Sequence, residues 1–174
     1  TEAWDHGAGL IIAVNKWDLI PEKDPNTAKR GQDLLEEKAP FLRYVPFLYI
    51  SALSGQRVTK LPDLILEVAA AREHRVATAE VNRVLQELLQ RNAPPQAPGE
   101  EVKLLYASQI GERPPTIAIV CNRPDDVPES YQRYLHHGFR AAFGFTGAPL
   151  RIRFTGRGAS KHDRRDDGRR VRGA

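Results

Sequence analysis

The sequence predicts an α/β fold followed by a small α+β domain with a three-stranded sheet. Two observations support this prediction. Before about residue 75, short apolar runs alternate with helical patterns, which is typical of a parallel sheet with helical crossovers. After it, the order becomes helix, strand, strand, helix, strand, which predicts helices on one face of a sheet. We therefore divide the chain into residues 1–75, residues 76–154 and a basic tail of residues 155–174.

The composition limits the kind of protein this is. Of the 174 residues, 41% are apolar and 28% are charged, as in globular proteins. No apolar run approaches the roughly 18 residues of a membrane-spanning helix, and no signal segment opens the chain. With Cys121 as the single cysteine, these features lead us to expect a cytoplasmic protein with no membrane partner. The chain begins at Thr1 and contains no methionine, so we also expect it to be a piece of a longer protein.

Positive charge is concentrated at the end of the chain. The whole chain carries 26 Lys and Arg against 22 Asp and Glu, a net charge of +4. Residues 151–174 contain nine basic and three acidic residues, a net of +6 that leaves −2 for residues 1–150. A basic tail attracts phosphate groups whatever their sequence context. Residues 155–174 lack the apolar periodicity of a packed element, so we expect them to be disordered alone.

Each element of the first part has its own local signal. The apolar run at residues 9–14 predicts a strand, and an Asx-rich turn at residues 24–26 predicts a helix over residues 27–39. A second apolar strand is predicted over residues 46–50, and we expect both strands to be buried. The last helix of this part is predicted from apolar residues at helical spacing, namely Leu61, Leu64, Ile65, Val68 and Ala69.

The second part begins with a helix that has Thr78 as its N-cap and ends before a proline-rich stretch. Strands follow over residues 102–108 and 116–121, joined by a Gly/Pro connection. A further helix follows an Asp-Asp-Val-Pro turn, and strict alternation over residues 150–154 predicts a half-buried strand with its arginines outward. The apolar faces of the two helices are predicted to be Val81, Val84, Leu85, Leu88 and Leu89 on the first and Tyr131, Tyr134, Leu135, Phe139 and Ala142 on the second.

Polar loops follow both strands of the first part. Asn15-Lys16-Trp17-Asp18 comes directly after the first apolar run, and Ser51-Ala52-Leu53 directly after the second. Parallel strands joined by one helix bring their carboxyl ends together, and open α/β sheets bind ligands at that edge. A lone Asn-Lys-x-Asp usually marks a capped turn, but the second loop at this spacing favours one shared site. We interpret the two loops as the base-recognition loops of a guanine-nucleotide site.

The residue types in these loops suit guanine. Asp18 can accept both donors on one edge of the base in a bidentate, charge-assisted pair that adenine does not offer. Asn15 can bond the other polar edge of the ring and tie the loop to its neighbours, and the stem of Lys16 can lie over the base. The backbone N–H of Ala52 can bond the guanine carbonyl, while Ser51 supports the loop. Hydrogen bonds to charged groups contribute about 1.5–3 kcal/mol each, enough for at least tenfold discrimination.

These motifs resemble those of a known family. Asn15-Lys16-Trp17-Asp18-Leu19 and residues 51–58 are similar to the corresponding motifs in the second GTPase domain of Der (EngA), a bacterial double GTPase. The later region is similar to that family's carboxy-terminal KH-like domain, and the likeness extends over about residues 8–154. It is carried there by Val81-Asn82-Arg83-Val84-Leu85, Lys103-Leu104-Leu105-Tyr106-Ala107-Ser108-Gln109, Arg113-Pro114-Pro115-Thr116, Ser130-Tyr131-Gln132-Arg133-Tyr134-Leu135 and Gly147-Ala148-Pro149-Leu150.

The resemblance implies the C-terminal portion of a P-loop GTPase domain followed by a KH-like domain. It implies GTP and GDP as ligands, hydrolysis of GTP, and a role in assembly of the large ribosomal subunit. The implied partners are the large ribosomal subunit, its RNA and the upstream GTPase domains of the same chain. The implied guanine-binding residues are Asn15, Lys16, Asp18, Ser51, Ala52 and Leu53.

This chain departs from the family pattern by lacking the parts that hold phosphates. It contains no Gly-x-x-x-x-Gly-Lys-Ser/Thr loop, no switch threonine and no Asp-x-x-Gly. We therefore expect the Mg²⁺ ligands of the intact protein to lie outside this chain, and we assign no catalytic or metal-binding residue within it. As it stands, this segment should not hydrolyse GTP.

Contact with RNA is a separate expectation, implied by the resemblance rather than by a recognisable site. KH domains clamp a nucleic-acid backbone with a Gly-x-x-Gly loop, and no such loop lies between two helices here. Arg151 and Arg153 would project from one face of the sheet. Three interpretations of that face are open: it contacts RNA phosphates, it is exposed to solvent, or it contacts the GTPase domains. The tail is either an RNA-contacting or a dispensable solubilising extension. The RNA-contact candidates are Arg151, Arg153, Arg157, Lys161, Arg164 and Arg165.

Three other features suggest chemistry but are better explained by structure. Tyr131, Tyr134 and Phe139 suggest base stacking, but their helical spacing favours core packing. His136 and His137 have no partner at metal-ligand spacing, and we expect them to face solvent at a helix end. Cys121 lies inside an apolar strand, which indicates a small core residue rather than a nucleophile.

Three functions remain open from the sequence. The chain is part of a Der-like GTPase, a stand-alone RNA-binding KH-like module, or an interaction scaffold without nucleotide function. Two motif blocks in the same order favour the first. The coding sequence upstream of Thr1 separates them, because the first requires a phosphate loop within roughly 120 residues before it.

Overall fold

The computed structural model describes residues 2–94 and 101–157, which form two compact units. The first unit consists of the chain up to His74 together with Phe145–Pro149, and the second of Arg75–Gly144 together with the chain from Leu150 onward. The sequence does not predict the return of Phe145–Pro149 to the first unit. Within the described ranges, no helix is both long and apolar enough to cross a membrane.

The first unit contains a two-stranded parallel sheet. Strand β1 (Ile12–Val14) pairs in register with strand β2 (Phe47–Tyr49) over all three residues. The parallel pairing confirms the α/β arrangement predicted from the alternation of strands and helices. The helical segments of this unit are α1 (Glu2–Asp5), α2 (Thr27–Lys38) and α3 (Leu61–Glu73), with short 3₁₀ turns at Trp17–Leu19, Pro40–Tyr44 and Val58–Lys60.

The predicted turn before α2 forms, and Asp24 organises it. The Asp24 carboxylate accepts the backbone N–H of Asn26 at 2.8 Å and the hydroxyl of Thr27 at 3.1 Å. These bonds direct the chain into the helix. The helix ends at Lys38, one residue earlier than predicted, because the residue before Pro40 is disfavoured in helical geometry.

Burial in the first unit is lower than the sequence predicts. Strand β1 is only half-buried, and Ala13 in its middle is exposed. On the predicted apolar face of α3, Val68 is buried, whereas Ile65 is 50% exposed and Ala69 is exposed. The physical reason is the size of the sheet: two described strands cannot cover surfaces that a larger α/β sheet would bury.

The second unit has the predicted order of helix, strand, strand, helix, strand. Its elements are α4 (Thr78–Arg91), β3 (Leu104–Glu112), β4 (Pro115–Cys121), α5 (Glu129–Phe143) and β5 (Arg151–Thr155). Strand β4 lies at the centre of the three-stranded sheet, antiparallel to β3 and parallel to β5. The hairpin is tighter than predicted because β3 runs through Glu112, so that only Arg113 and Pro114 connect the strands.

The predicted faces of α4 and α5 form the core of this unit together with β4. Ala142 was predicted to belong to that face but is exposed, because Phe143 stacks on Phe139 with ring centroids 6.1 Å apart and occupies the end of the stripe. The buried residues of the two helices are Val81, Val84, Leu85, Leu88, Tyr131, Leu135, Phe139 and Arg140.

The start of α4 also differs from the prediction. Thr78 is the first helical residue, and Ala77 occupies the N-cap position without a side-chain capping bond. The helix therefore begins one residue earlier than predicted. Just before it, the N–H of Val76 donates to the side-chain oxygen of Gln109 at 2.7 Å. A contact with strand β3 therefore replaces the predicted local cap.

Side chains satisfy backbone groups at the end of α4. The hydroxyls of Tyr131 and Tyr134 donate to the carbonyls of Asn92 and Leu88 at 2.6 and 2.8 Å. The Leu88 carbonyl also accepts the N–H of Asn92 at 3.0 Å, so the tyrosine hydroxyls add to the backbone bond that closes the end of the helix. Burial raises the pKa of Tyr131 to about 12. The packing role predicted for the two tyrosines is confirmed.

The two edge strands of the three-stranded sheet, β3 and β5, are covered in different ways. At β3, the side-chain amide of Asn82 accepts the N–H of Ala107 at 2.9 Å and donates to its carbonyl at 2.8 Å, which replaces a neighbouring strand. Strand β5 forms the other edge and is half-buried along its whole length, whereas every residue of β4 is buried. The strict inward and outward alternation predicted for β5 is therefore absent, because an edge strand is covered less evenly than a central one.

Candidate functional site

The two polar loops of the first unit meet through the side chain of Asn15. Its amide oxygen accepts the backbone N–H of Lys16 at 2.7 Å and that of Ala52 at 3.0 Å. The first bond closes a tight turn directly after β1. The second joins two loops that are 37 residues apart in sequence. The structure thus brings the two predicted loops together at the carboxyl ends of β1 and β2.

The backbone of the first loop turns sharply at Lys16, which has a φ of 61°. A short 3₁₀ turn follows, with the N–H of Leu19 bonded to the Lys16 carbonyl at 3.0 Å. The Trp17 side chain is buried, and its ring lies 4.6 Å from that of Tyr49. The buried ring anchors the turn and leaves Lys16 and Asp18 exposed on either side of it.

Asp18 is held as a carboxylate. A hydrogen bond from the Ser51 side chain is the largest influence that lowers its pKa below the ordinary value. A hydrogen bond from its own backbone N–H acts in the same direction. Burial opposes these two bonds, and the positive charges of Lys23 and Lys16 lower the pKa further by smaller amounts. An exposed carboxylate with a lowered pKa is ready to accept hydrogen bonds at neutral pH.

The second loop is organised around Ser51, which is completely buried. Its hydroxyl accepts the N–H of Ser54 at 3.2 Å, and its own N–H donates to the carbonyl of Gln56 at 3.1 Å. Because Ser51 also bonds Asp18, it supports both loops at once. Ala52 and Leu53 follow it, with Leu53 being 91% exposed.

The structure therefore brings all six predicted residues to one edge of the unit. Asn15 and Ser51 hold the loops together, and the other four are exposed there. Their role in binding guanine stays a prediction. Two further residues were missed: Trp17, which anchors the loop, and Lys23, whose ammonium lies 5.6 Å from the Trp17 ring centroid. The sequence signal that could have identified Trp17 is the presence of an aromatic residue inside a polar loop.

The candidates for RNA contact are spread along the end of the chain. Arg151 and Arg153 lie on β5 and are half-buried, and both take part in interactions within the structure. Arg157 follows the strand and is exposed. The remaining candidates, Lys161, Arg164 and Arg165, lie outside the described residues. Their contact with RNA stays a prediction.

The histidine pair on α5 differs from the prediction. Both residues lie inside the helix rather than at its end, and only His137 is exposed. His136 is half-buried, with its Nε2 3.2 Å from the Leu150 carbonyl. Burial, assisted by the charge of Arg140, lowers the pKa of His136 to about 4, so the ring is neutral at pH 7. The helix turns His136 toward β5, which sequence spacing alone does not show.

Cys121 is buried at the end of β4, and burial raises the pKa of its thiol. It is a core residue, as predicted. Across residues 2–94 and 101–157, no cluster of three or more His, Cys, Asp or Glu side chains is arranged to hold a metal ion.

Fold and loop geometry together define a class: an α/β unit with two joined polar loops at its strand ends, followed by a KH-like α+β unit. Residues 75–155 match the family described as the KH-domain-like of EngA bacterial GTPase enzymes, C-terminal. These residues therefore belong to the carboxy-terminal KH-like domain of the Der (EngA) family, and most of the chain is similar to proteins named GTPase Der.

Individual relatives show how much of the chain this similarity covers. The chain is 53% identical over 152 residues to GTPase Der of Gemmatimonas aurantiaca, which is 87% of this chain and 35% of that protein. It is 45% identical over 150 residues to GTPase Der of Desulfitobacterium hafniense and 44% identical over 150 residues to that of Moorella thermoacetica, in each case 86% of this chain and 34% of the relative. The chain thus spans about a third of the length of these relatives.

Proposed function

We propose that this chain carries the guanine-recognition loops of a GTP-binding and GTP-hydrolysing protein. The single observation that supports this most strongly is the bridge from Asn15 to Ala52, at 3.0 Å, which joins the two loops. The bridge aligns an exposed carboxylate and an exposed backbone segment along one edge. The family resemblance and the relatives named GTPase Der point to the same function.

Each loop residue has a distinct part in reading the base. The Asp18 carboxylate, which is ionised at neutral pH, accepts the ring N–H and the exocyclic amine of guanine. The backbone N–H of the Ala52–Leu53 segment donates to the guanine carbonyl, and the Asn15 amide donates to a ring nitrogen. The aliphatic stem of Lys16 and the exposed side chain of Leu53 cover the faces of the base.

The phosphates of GTP, the Mg²⁺ ion and the hydrolysis step belong to other parts of the intact protein. No residue of this chain is placed in the reaction itself, and this segment alone should not hydrolyse GTP. The exposed apolar side chains Ile65 and Leu66 on α3 support this division, because surfaces of this kind suit packing against further elements of the domain. The upstream GTPase domains of the same chain are the partners we propose for them.

We assign residues 1–75 to the C-terminal portion of the second GTPase domain, residues 76–154 to the KH-like domain and residues 155–174 to a basic tail. We place the protein in the cytoplasm, acting on the large ribosomal subunit and its RNA. Support for the ribosomal role comes from the family resemblance, from the KH-like second unit and from the net charge of +6 over residues 151–174. Basic, polar segments of this kind bind the phosphate backbone of RNA.

The proposal is tested in the gene product that extends upstream of Thr1. We expect a phosphate loop within roughly 120 residues of that point, and the extended protein should bind GDP at least about tenfold more tightly than ADP. It should hydrolyse GTP, whereas the chain beginning at Thr1 should not. Equal affinities for GDP and ADP would show that the two loops do not read guanine.

A further inference from the structure

The strands that carry the guanine loops are too short to fix their own alignment. Strands β1 and β2 pair over three residues each, and an isolated two-stranded pair is at best marginally stable. A slip of one residue would turn every side chain to the other face and separate the loops. Some other part of the chain must therefore hold the starts of these strands.

The segment Phe145–Pro149 lies at those starts and bonds both of them. The carbonyl of Gly147 accepts the N–H of Leu10, two residues before β1, at 2.8 Å. The N–H of the same glycine donates to the carbonyl of Tyr44, three residues before β2, at 2.6 Å. One residue thus uses both of its backbone groups to join the approaches to the two strands.

The position admits only a residue without a side chain. Gly147 has a φ of +66°, and a Cβ there would lie 2.7 Å from the Leu10 carbonyl oxygen and 2.7 Å from a methyl carbon of Val68. The first of these contacts is with backbone and cannot be relieved by a side-chain rotation. The close approach that forms the two bonds therefore depends on glycine.

Buried neighbours hold this glycine in place. Phe145 is 2% exposed, and its ring centroid lies 5.7 Å from that of His74. Ala148 is completely buried and donates its N–H to the Phe145 carbonyl at 3.0 Å, and Pro149 is also fully buried. Because its side chains are buried in this way, the segment is a rigid support for the residues that precede β1 and β2.

A continuous series of hydrogen bonds runs from this segment to the guanine loops. The N–H of Ile12 donates to the Pro46 carbonyl at 3.0 Å, and the N–H of Ile50 to the Val14 carbonyl at 2.9 Å. At the far end, the N–H of Trp17 bonds the Ile50 carbonyl at 2.9 Å, and the bridge from Asn15 to Ala52 completes the series. The alignment set at Gly147 is therefore transmitted to both loops.

We propose that Phe145–Pro149 is a register clamp that positions the guanine loops, with Gly147 as its positioning residue. The inference rests on the proposed function of those loops. It also gives a reason for the return of this segment to the first unit, since the chain on both sides of it belongs to the second. The connection between α5 and β5 thereby takes part in forming the nucleotide site.

Amide hydrogen exchange of this chain, followed by NMR, tests the clamp without any nucleotide. Gly147→Ala should raise the exchange rates of the Trp17 and Ala52 amides at least tenfold, because the strands lose their common support. The Ala107 amide, bonded to Asn82 in the second unit, should keep its rate. Phe145→Ala, which loosens the clamp without a steric clash, should act in the same direction to a smaller extent.

Gly144→Ala is the matched control. Gly144 also has a positive φ, of +78°, so alanine strains the backbone there as it does at Gly147, but no atom lies within 4 Å of a Cβ built there, and the variant therefore separates backbone strain from the steric clash. This variant should leave the Trp17 and Ala52 amides unchanged. Unchanged rates at these amides in both Gly147→Ala and Phe145→Ala, or an equal rise in both units, would overturn the clamp. Failure of guanine binding would sink the proposed function yet leave this exchange result intact.

Discussion

Asn15 and Ser51 act chiefly by holding other groups in place. The Asn15 oxygen accepts two backbone N–H groups, which leaves the amide nitrogen as the part that can donate to an acceptor on guanine. Ser51 is buried and bonds Asp18. The carboxylate that we propose reads the base is thus positioned by a buried neighbour that does not contact the base.

The link between Ser51 and Asp18 can be measured directly. In Ser51→Ala, the largest influence that lowers the pKa of Asp18 is removed, so the pKa should rise toward its ordinary value. The wild-type carboxylate therefore stays ionised to lower pH, and the variant protonates earlier as the pH falls. The measurement is the ¹³C shift of the Asp18 carboxyl carbon against pH.

Ser54→Ala serves as the control for that titration, because Ser54 is an exposed residue of the same loop and contacts Ser51 through its backbone N–H. It should leave the titration of Asp18 unchanged. An unaltered Asp18 titration in Ser51→Ala would mean that the Ser51 hydroxyl does not lower the pKa of Asp18.

At the scale of elements, the packing of α4 against α5 depends on Gly138. A Cβ at this position would lie 2.3 Å from a methyl carbon of Leu88. Alanine normally favours a helix over glycine, but Gly138→Ala should lower the free energy of unfolding by about 1–3 kcal/mol because the helices must move apart. Urea unfolding followed by circular dichroism measures the change.

Gly31→Ala on α2 is the matched substitution with the opposite expected sign. The nearest atom to a Cβ there is the Tyr49 hydroxyl at 3.5 Å, an ordinary contact. This variant should raise the free energy of unfolding by up to about 1 kcal/mol. If both substitutions stabilise the chain, the close contact between α4 and α5 is not rigid.

Elements with strong local patterns were predictable, whereas features set by distant parts of the chain were not. The helices α4 and α5 and the strand β4 follow from apolar spacing alone. Thr78 was wrong as an N-cap because Gln109, 33 residues from Val76, determines where the helix begins. The loops after β1 and β2 were predictable because polar residues directly follow apolar runs. The burial of Trp17 and Ser51 could not be predicted from the sequence, because it arises only when the two loops fold against each other.

At the scale of the whole molecule, the chain crosses between its two units more than once. Phe145–Pro149 belongs to the first unit although its flanking residues belong to the second. No local sequence pattern predicts this return to the first unit, because Gly147-Ala148-Pro149 has the composition of an ordinary turn. Removing the second unit by cutting the chain after residue 75 would therefore also remove part of the first.

The basic end of the chain gives a prediction about RNA. A chain without residues 158–174 lacks six Lys and Arg side chains. For single-stranded RNA, the slope of log affinity against log salt should become shallower by about 0.7 for each phosphate that the shortened chain no longer neutralises. Fluorescence anisotropy with a labelled RNA over a series of salt concentrations measures the slope.

A chain with residues 158–174 in shuffled order is the control for the tail. It keeps the charge, and a sequence-blind electrostatic contact should give the slope of the natural chain. If the slope is the same with and without the tail, the tail does not contact RNA.

The central claim is that Asp18 reads guanine, and a change of base tests it most directly. In the protein extended upstream through its phosphate loop, Asp18→Asn should weaken GDP binding at least about tenfold and favour xanthosine diphosphate, which presents an acceptor where guanine has its amine. Asp24→Asn, at an exposed carboxylate of the next turn, should change neither affinity. Unchanged GDP affinity in Asp18→Asn, with no gain for xanthosine diphosphate, would contradict the assignment.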